Sequence, residues 1–335
     1  MTQLGNVGPH NAMSRRLAWD NVQKRVSNGV SDTPARPSIV GKPSLMPYRR
    51  RVGVTRFLIV LVMSASLAGC VQPPSGDRVQ SDLGHSKDVQ HFQSLIQRIL
   101  RADYTADRQE LDRLYRETDS WLGEKAIESR VRYWKGFAKW RRAINGANEK
   151  NTPDDLAADC EVAADELRRS GELDPGFIDA RIGEMQCLGL ILFFDRQRPG
   201  NDVHIARLRI LMAELKETAT DNPRYVWAWG MAFFSVSPEK GGGPDNVIKA
   251  YLKALNGIRH GPAQAHGPLD PSWGEAELCV NLAYSYLNQP SADLALARKY
   301  VNEAIRLVPD WHYARDILRP QIEAAARKAA NGGEK

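Results

Sequence analysis

One spacing recurs three times in the second half of the chain and limits what it can fold into. Ala163, Leu167, Ser170 and Pro175 follow one another at intervals of four, three and five residues. Leu211, Leu215, Thr218 and Pro223 repeat those intervals, as do Ala297, Val301, Ala304 and Pro309. Val247, Tyr251 and Ala254 make a partial copy without the proline. Steps of four and three keep three residues on one face of a helix, and a small residue there lets a second helix lie close. Proline, tolerated in a helix's first turn, is expected to start the next helix. Repetition of such a unit predicts stacked antiparallel helical hairpins.

The rest of the chain agrees with an all-α class. It is rich in Ala, Leu, Arg and Glu and has no sustained alternating Val/Ile/Thr run of the kind half-buried strands need. Apolar residues at helical spacing predict an opening pair, Asp88 to Leu100 and Thr105 to Thr118. A third helix is expected from Gly123 to Asn145, carrying Ile127, Val131, Tyr133, Trp134, Phe137, Trp140 and Ile144.

The repeated pattern resembles the second helix of the tetratricopeptide repeat. Leu282, Ala283 and Tyr286 stand where the first helix of that repeat carries a leucine, a small residue and an aromatic, and Gly136 and Gly230 suit the small position in earlier units. The copies are 48, 36 and 50 residues apart rather than a uniform 34, so longer loops and an irregular superhelix are expected. The likeness covers roughly residues 123 to 318, inside a helical domain placed at 88–330. The Gly241-Gly242-Gly243-Pro244 turn is one such loop. It lacks the Lys-Ser/Thr ending of a phosphate-binding P-loop, follows no strand and is expected to open a helix. It also resembles a loop in the tetratricopeptide lipoproteins that accompany TRAP-type solute transporters.

The amino-terminal segment is of another kind. Residues 1–69 hold ten Lys and Arg against Asp20 and Asp32, so of the totals of 46 and 40 the remainder keeps 36 basic and 38 acidic side chains. The chain from Cys70 onward is near neutral, which removes the charge argument for nucleic acid. Arg49-Arg50-Arg51 precede an apolar stretch from Phe57 to Met63 and then Ser64-Ala65-Ser66-Leu67-Ala68-Gly69-Cys70. At about 1.5 Å per residue the apolar stretch reaches only about half of a bilayer's hydrocarbon thickness, as in a signal peptide. Leu67-Ala68-Gly69-Cys70 resembles the bacterial lipobox, which implies lipid attachment at Cys70 after removal of residues 46–69. Val71 at the following position resembles lipoproteins sorted to the outer membrane, facing the periplasm. Residues 70–87 read as a flexible tether. Residues 1–45 lack periodicity and read as a disordered upstream extension, with translation expected to start at Met46.

Export would place Cys160, Cys187 and Cys279 in a disulfide-permissive compartment. Cys160 lies fourteen residues before Asp174 and Cys187 thirteen after it, so a hairpin turning near Asp174-Pro175 sets both thiols at one level. They are either bonded to each other or buried free. No enzyme signature is found: Ser235 and Ser237 lack a glycine-flanked elbow, and His260, His266, Glu275 and Glu277 match no zinc spacing. Asp154 and Asp155 are accounted for by a helix start. No cofactor or metal is expected. Two aromatic clusters remain, around Tyr133, Trp134, Phe137 and Trp140, and around Tyr225, Trp227, Trp229, Phe233 and Phe234. They are read either as core or as the lining of a concave groove, with Arg141 and Arg142 at its flank. The expected function is a non-catalytic, lipid-anchored envelope scaffold whose groove, lined by Tyr133, Trp134, Trp140, Arg141, Trp227 and Trp229, takes an envelope protein or peptide. The alternative is a solute-binding accessory lipoprotein of a transporter, TRAP-associated in type, with an enclosed cavity.

Overall fold

The computed structural model describes residues 87–149, 152–261 and 267–332. Cys70, the signal-peptide segment, residues 70–86 of the tether, the upstream extension and His266 lie outside the described residues, and Lys87, read as the end of the tether, begins the first helix. Eleven α-helices are found among the described residues, and no strand. They are α1 Lys87–Tyr104, α2 Arg108–Glu117, α3 Glu128–Ala147, α4 Leu156–Leu173, α5 Ile178–Phe194, α6 Asn201–Thr218, α7 Pro223–Phe233, α8 Pro244–His260, α9 Glu275–Asn288, α10 Leu294–Leu307 and α11 Arg319–Gly332. A π-helical stretch, Tyr313–Leu318, leads into α11.

Neighbours in sequence are neighbours in space. Helices α3/α4, α5/α6, α7/α8 and α9/α10 form hairpins, while α3, α5, α7 and α9 touch one another in chain order. The four copies of the repeated spacing fall on α4, α6, α8 and α10, the second helix of each hairpin. Their apolar and small positions are buried at Ala163, Leu167, Ser170, Leu211, Leu215, Val247, Tyr251, Ala254, Ala297, Val301 and Ala304. Thr218 departs from the pattern, being exposed, with its hydroxyl donating to the Glu214 carbonyl at 2.9 Å.

The prolines follow expectation at one position of three. Pro223 is the first residue of α7. Pro175 and Pro309 instead stand in turns ahead of α5 and of the π stretch. The first of these turns is held by Asp174, whose Oδ1 accepts from the Gly176 amide at 3.0 Å. The third helix begins at Glu128 rather than Gly123, because residues 123–127 form a turn in which Gly123 has φ +96°.

Close approach within the hairpins rests on missing side chains. A Cβ on Gly136 would stand 2.8 Å from Leu167 Cγ, and one on Gly183 would stand 3.0 Å from Leu167 Cδ1, so a single leucine of α4 wedges between α3 and α5. In the α7/α8 hairpin a Cβ on Gly230 would meet the Tyr251 hydroxyl at 2.3 Å. The open end of the α3/α4 pair is latched reciprocally: Ser129 Oγ donates to the Ser170 carbonyl at 2.9 Å and Ser170 Oγ to the Ser129 carbonyl at 2.7 Å.

Two cores result, one built largely from α1 to α6 and one from α7 to α11, with Trp227 and Trp229 touching both. The carboxyl end of α1 reaches the second core. There Tyr104 packs edge-to-face on Trp311, with ring centroids 5.2 Å apart, and its hydroxyl donates to Glu277 Oε1 at 2.8 Å. Among the described residues no helix is long and apolar enough to cross a membrane.

Glycine substitutions separate propensity from packing. Gly230→Ala is expected to lower stability by about 1–3 kcal/mol through overpacking against Tyr251. Gly189→Ala, where an added Cβ meets nothing within 4 Å in the middle of α5, is expected to raise stability by up to about 1 kcal/mol. Urea unfolding of both variants measures this, and equal effects would contradict the close-approach account.

Candidate functional site

The expected groove residues lie on α3 and α7, and the chain itself covers them. Residues 267–274, between α8 and α9, run across this face in non-helical conformation. Their carbonyls are held by three side-chain donors: Gln93 Nε2 to Pro268 at 3.0 Å, Trp134 Nε1 to Leu269 at 2.8 Å, and Arg224 Nη1 to Trp273 at 3.1 Å. Asp270 receives Arg130 Nε at 2.6 Å and folds back to accept from the Gly267 amide at 2.7 Å. The Trp273 ring sits 5.6 Å from Phe137, 5.8 Å from Trp140 and 5.3 Å from Trp227, and its Nε1 donates to the Tyr133 hydroxyl at 3.0 Å.

This insertion settles where each expected groove residue stands. Tyr133, Trp134, Trp140 and Arg141 are buried, with Leu269 and Trp273 buried beside them; of the two readings of this cluster it is core, and these residues do not line the expected groove. Trp227 and Trp229 are half-buried, and Trp229 packs edge-to-face on Phe233 at 5.1 Å. A Leu and a Trp inside a Gly- and Pro-rich loop were the available signal for the insertion, since large apolar side chains in a loop usually find a core.

Arg141 is an interior residue. Its Nε donates to Asp103 Oδ2 at 2.8 Å, and Asn145 Nδ2 donates to the same residue's Oδ1 at 3.1 Å. Burial opposes its charge, but Asp103 and Glu277 outweigh that and raise its pKa. Its Nη1 is buried without a partner, as is Trp140 Nε1. Burial pushes the Glu277 carboxyl up, against the pull of Arg141. Glu277 also accepts from the Gly274 amide at 2.9 Å, which caps α9. Arg142 is not at the flank of a groove. It pairs with Asp155 at 2.7 Å and with Asp159, which gives Asp155 a role beyond starting α4.

The remaining residues singled out from sequence are mostly engaged in structure. Cys160 and Cys187 are unbonded, fully buried thiols on adjacent helices, so the disulfide considered above is not formed. Burial pushes both well above the ordinary range, and they pack as small apolar groups. Burial pushes Cys279 up to about 12. Glu275 pairs with Arg259 at 2.7 Å, and His260 is exposed at the end of α8. Among the described residues no three His, Cys, Asp or Glu side chains are placed to hold a metal. The glycine turn before α8 uses its amides internally: Gly241, Gly242 and Gly243 donate to the carbonyls of Pro238, Ser237 and Phe233.

Two cavities lie at opposite ends of α3. One, about 390 Å³, is lined at its amino end by Ile127, Ser129 and Arg130 together with Asp174, Leu269 and Asp270. Arg130 there bridges Asp174 and Asp270 and lies 3.8 Å from the centre of the Phe177 ring. The other, about 270 Å³, opens at the carboxyl end, between Thr105, Ala106, Asn145, Asn148 and Glu149 on one side and His312, Tyr313 and Ile317 on the other. Compared with protein-family models, with curated proteins and with solved structures, the chain has no significant match. The class defined by its geometry is therefore an all-α stack of helical hairpins with a self-filled inner face.

Two outcomes follow from these contacts. Trp273→Ala removes the side chain that closes the inner face and is expected to cost about 3–5 kcal/mol in urea unfolding. A cost under about 1 kcal/mol would mean that the segment is only laid on the surface. For pH, Asp174 is held below its ordinary value of 3.8 by its bond to Arg130. Asp112 is held low by Lys139, and Asp155 by Arg108 and Arg142 against burial. The unfolded chain takes up these protons first as pH falls, so this stability is complete above the ordinary value and is lost below it. Glu277 has the opposite sign, contributing fully below its ordinary 4.5 and less as pH rises through its raised value. The lowered carboxylates, which also include Glu110, Glu117 and Asp316, outnumber Glu277, so the unfolding midpoint is expected to drop below about pH 4, and Asp174→Asn to flatten that drop.

Proposed function

We propose that this chain is a non-catalytic, lipid-tethered protein-interaction scaffold of the cell envelope, attached through Cys70 and facing the periplasm from the outer membrane. The observation that carries the reading is the grip on residues 267–274. Donors from α1, α3 and α7 hold main-chain carbonyls, a cation meets the one acid, and an aromatic pocket takes the tryptophan. That is how a groove reads an extended polypeptide, and here the stack applies it to its own chain. A partner is then met by the part of the aromatic surface that stays accessible, Trp229 with Phe233, where ring faces and edges suit a protein hot spot.

A second reading, a solute-binding accessory lipoprotein of the TRAP-associated type, is favoured by the cavity at the carboxyl end of α3, which is walled on two sides by parts of the chain far apart in sequence.

The test is made on the full chain in a diderm host. A photo-crosslinking residue at Phe233 is expected to give a discrete protein adduct that Trp229→Ala weakens, while the same probe at exposed Arg169 gives none. Identical adducts from both positions would refute the interaction surface. Intact mass of the membrane-extracted protein is expected to show a chain starting at Cys70 with acyl mass, absent in Cys70→Ser. An unacylated chain of full length would remove the tether from the proposal.

A further inference from the structure

We infer that the cavity at the carboxyl ends of α1 and α3 is a binding site for a small organic cation, a primary alkylammonium solute. The inference rests on the second reading above and adds the chemistry of its ligand. The argument is one of hydrogen-bond inventory. Asn145 is buried and uses its amide hydrogens on Asp103, donating to the carbonyl at 2.9 Å and to Oδ1 at 3.1 Å. Asn148 Nδ2 donates to the Ile144 carbonyl at 3.1 Å, and the Thr105 hydroxyl donates to the Arg101 carbonyl at 2.9 Å. Each of these lining groups has committed a donor to the protein, which leaves the oxygen lone pairs for a ligand. Glu149 adds a carboxylate, an acceptor only. Across the cavity His312 Nδ1 stands 2.9 Å from Asp316 Oδ2.

The backbone adds to the same field. Helix α1 ends at Tyr104 and α3 at Ala147, immediately before or among the lining residues, so two helix carboxyl poles with their partial negative charge converge on one space. Ile317 and Ala106 provide apolar wall for a short carbon chain, and about 270 Å³ exceeds what a bare metal ion fills. A divalent metal would ask for several carboxylates, whereas Glu149 is the one carboxylate in the lining. Both walls have unusual backbone: Ala106 is a non-glycine residue at φ +57°, and Tyr313 opens the π-helical stretch. Such departures gather at binding sites more often than elsewhere.

The experiment is calorimetric titration of the detergent-solubilised full chain with n-butylamine and 1,4-diaminobutane, beside 1-butanol and butyrate. Saturable binding of the amines is expected, with Glu149→Gln weakening it by up to about fivefold, as loss of a solvent-exposed ion pair implies. Glu149 is exposed and engaged in no described core contact, and a second variant, Asn148→Ala, which removes a lining acceptor, is also expected to weaken binding. Binding of 1-butanol equal to that of the amines would overturn the cation assignment while leaving a solute cavity. No saturable binding of any probe would overturn both. Amine binding unchanged in Glu149→Gln would place the amine elsewhere and also overturn the proposal.

Discussion

The structure depends on Trp273. Without that ring, the inner faces of α3 and α7 would present Phe137, Trp140 and Trp227 to water, a contiguous aromatic surface far from the single exposed apolar residues a soluble domain tolerates. Burying a large apolar side chain contributes about 1.5–3 kcal/mol, and Leu269 and Trp273 are both buried here. The segment that carries them also has its carbonyls bonded to side chains from α1, α3 and α7. One non-helical stretch thereby fixes how far the stack curls, since it must touch all three helices at once.

Charge is distributed around this closure rather than excluded from it. Arg224 binds Asp179 through two nitrogens, at 2.6 and 2.9 Å, and turns its third to the Trp273 carbonyl. Arg141 and Asp103 are almost completely buried as a pair. Taking ions out of water costs on the order of several kcal/mol each, so such a pair adds little net stability. What it adds is orientation: Asp103 lies in the last turn of α1, Arg141 and Asn145 lie near the end of α3, and Asp103 accepts from both, which fixes the relative placement of the two helices. The same residues bring Tyr104 to Glu277 and Trp311, which joins the beginning of the described chain to its later hairpins.

Local regularity was legible in the sequence, and long-range occupancy was not. The spacing of Ala163, Leu167 and Ser170 and its copies located every second helix, because helical periodicity is a property of neighbours along the chain. Gly136 and Gly230 were readable as close-approach positions from the same pattern. Gly183 was not, since its need for space comes from Leu167, already assigned to another contact. Tyr133, Trp134 and Trp140 could be read as core or as groove, as an inward-facing aromatic stripe looks the same whether solvent, a partner or a distant loop covers it. The deciding residue, Trp273, is over 130 positions away from them.

The closure also explains why a cavity exists at the carboxyl end of α3. Helices leave their last carbonyls without intrahelical donors, and these are normally met by caps or by water. At α1 the carbonyls of Arg101, Ala102 and Asp103 are met by Thr105, Asp107 and Asn145, so the amides and hydroxyl of the surrounding residues turn inward to the protein. At α3 Asn148 does the same for Ile144. Each cap satisfies an acceptor by committing a donor, so the amides of Asn145 and Asn148 are spent on helix carbonyls and Asp103. Where two such ends meet a third wall, the π stretch at Tyr313–Leu318, the gap inherits an excess of acceptors. The electrostatic character of the cavity is thus a consequence of how the stack closes.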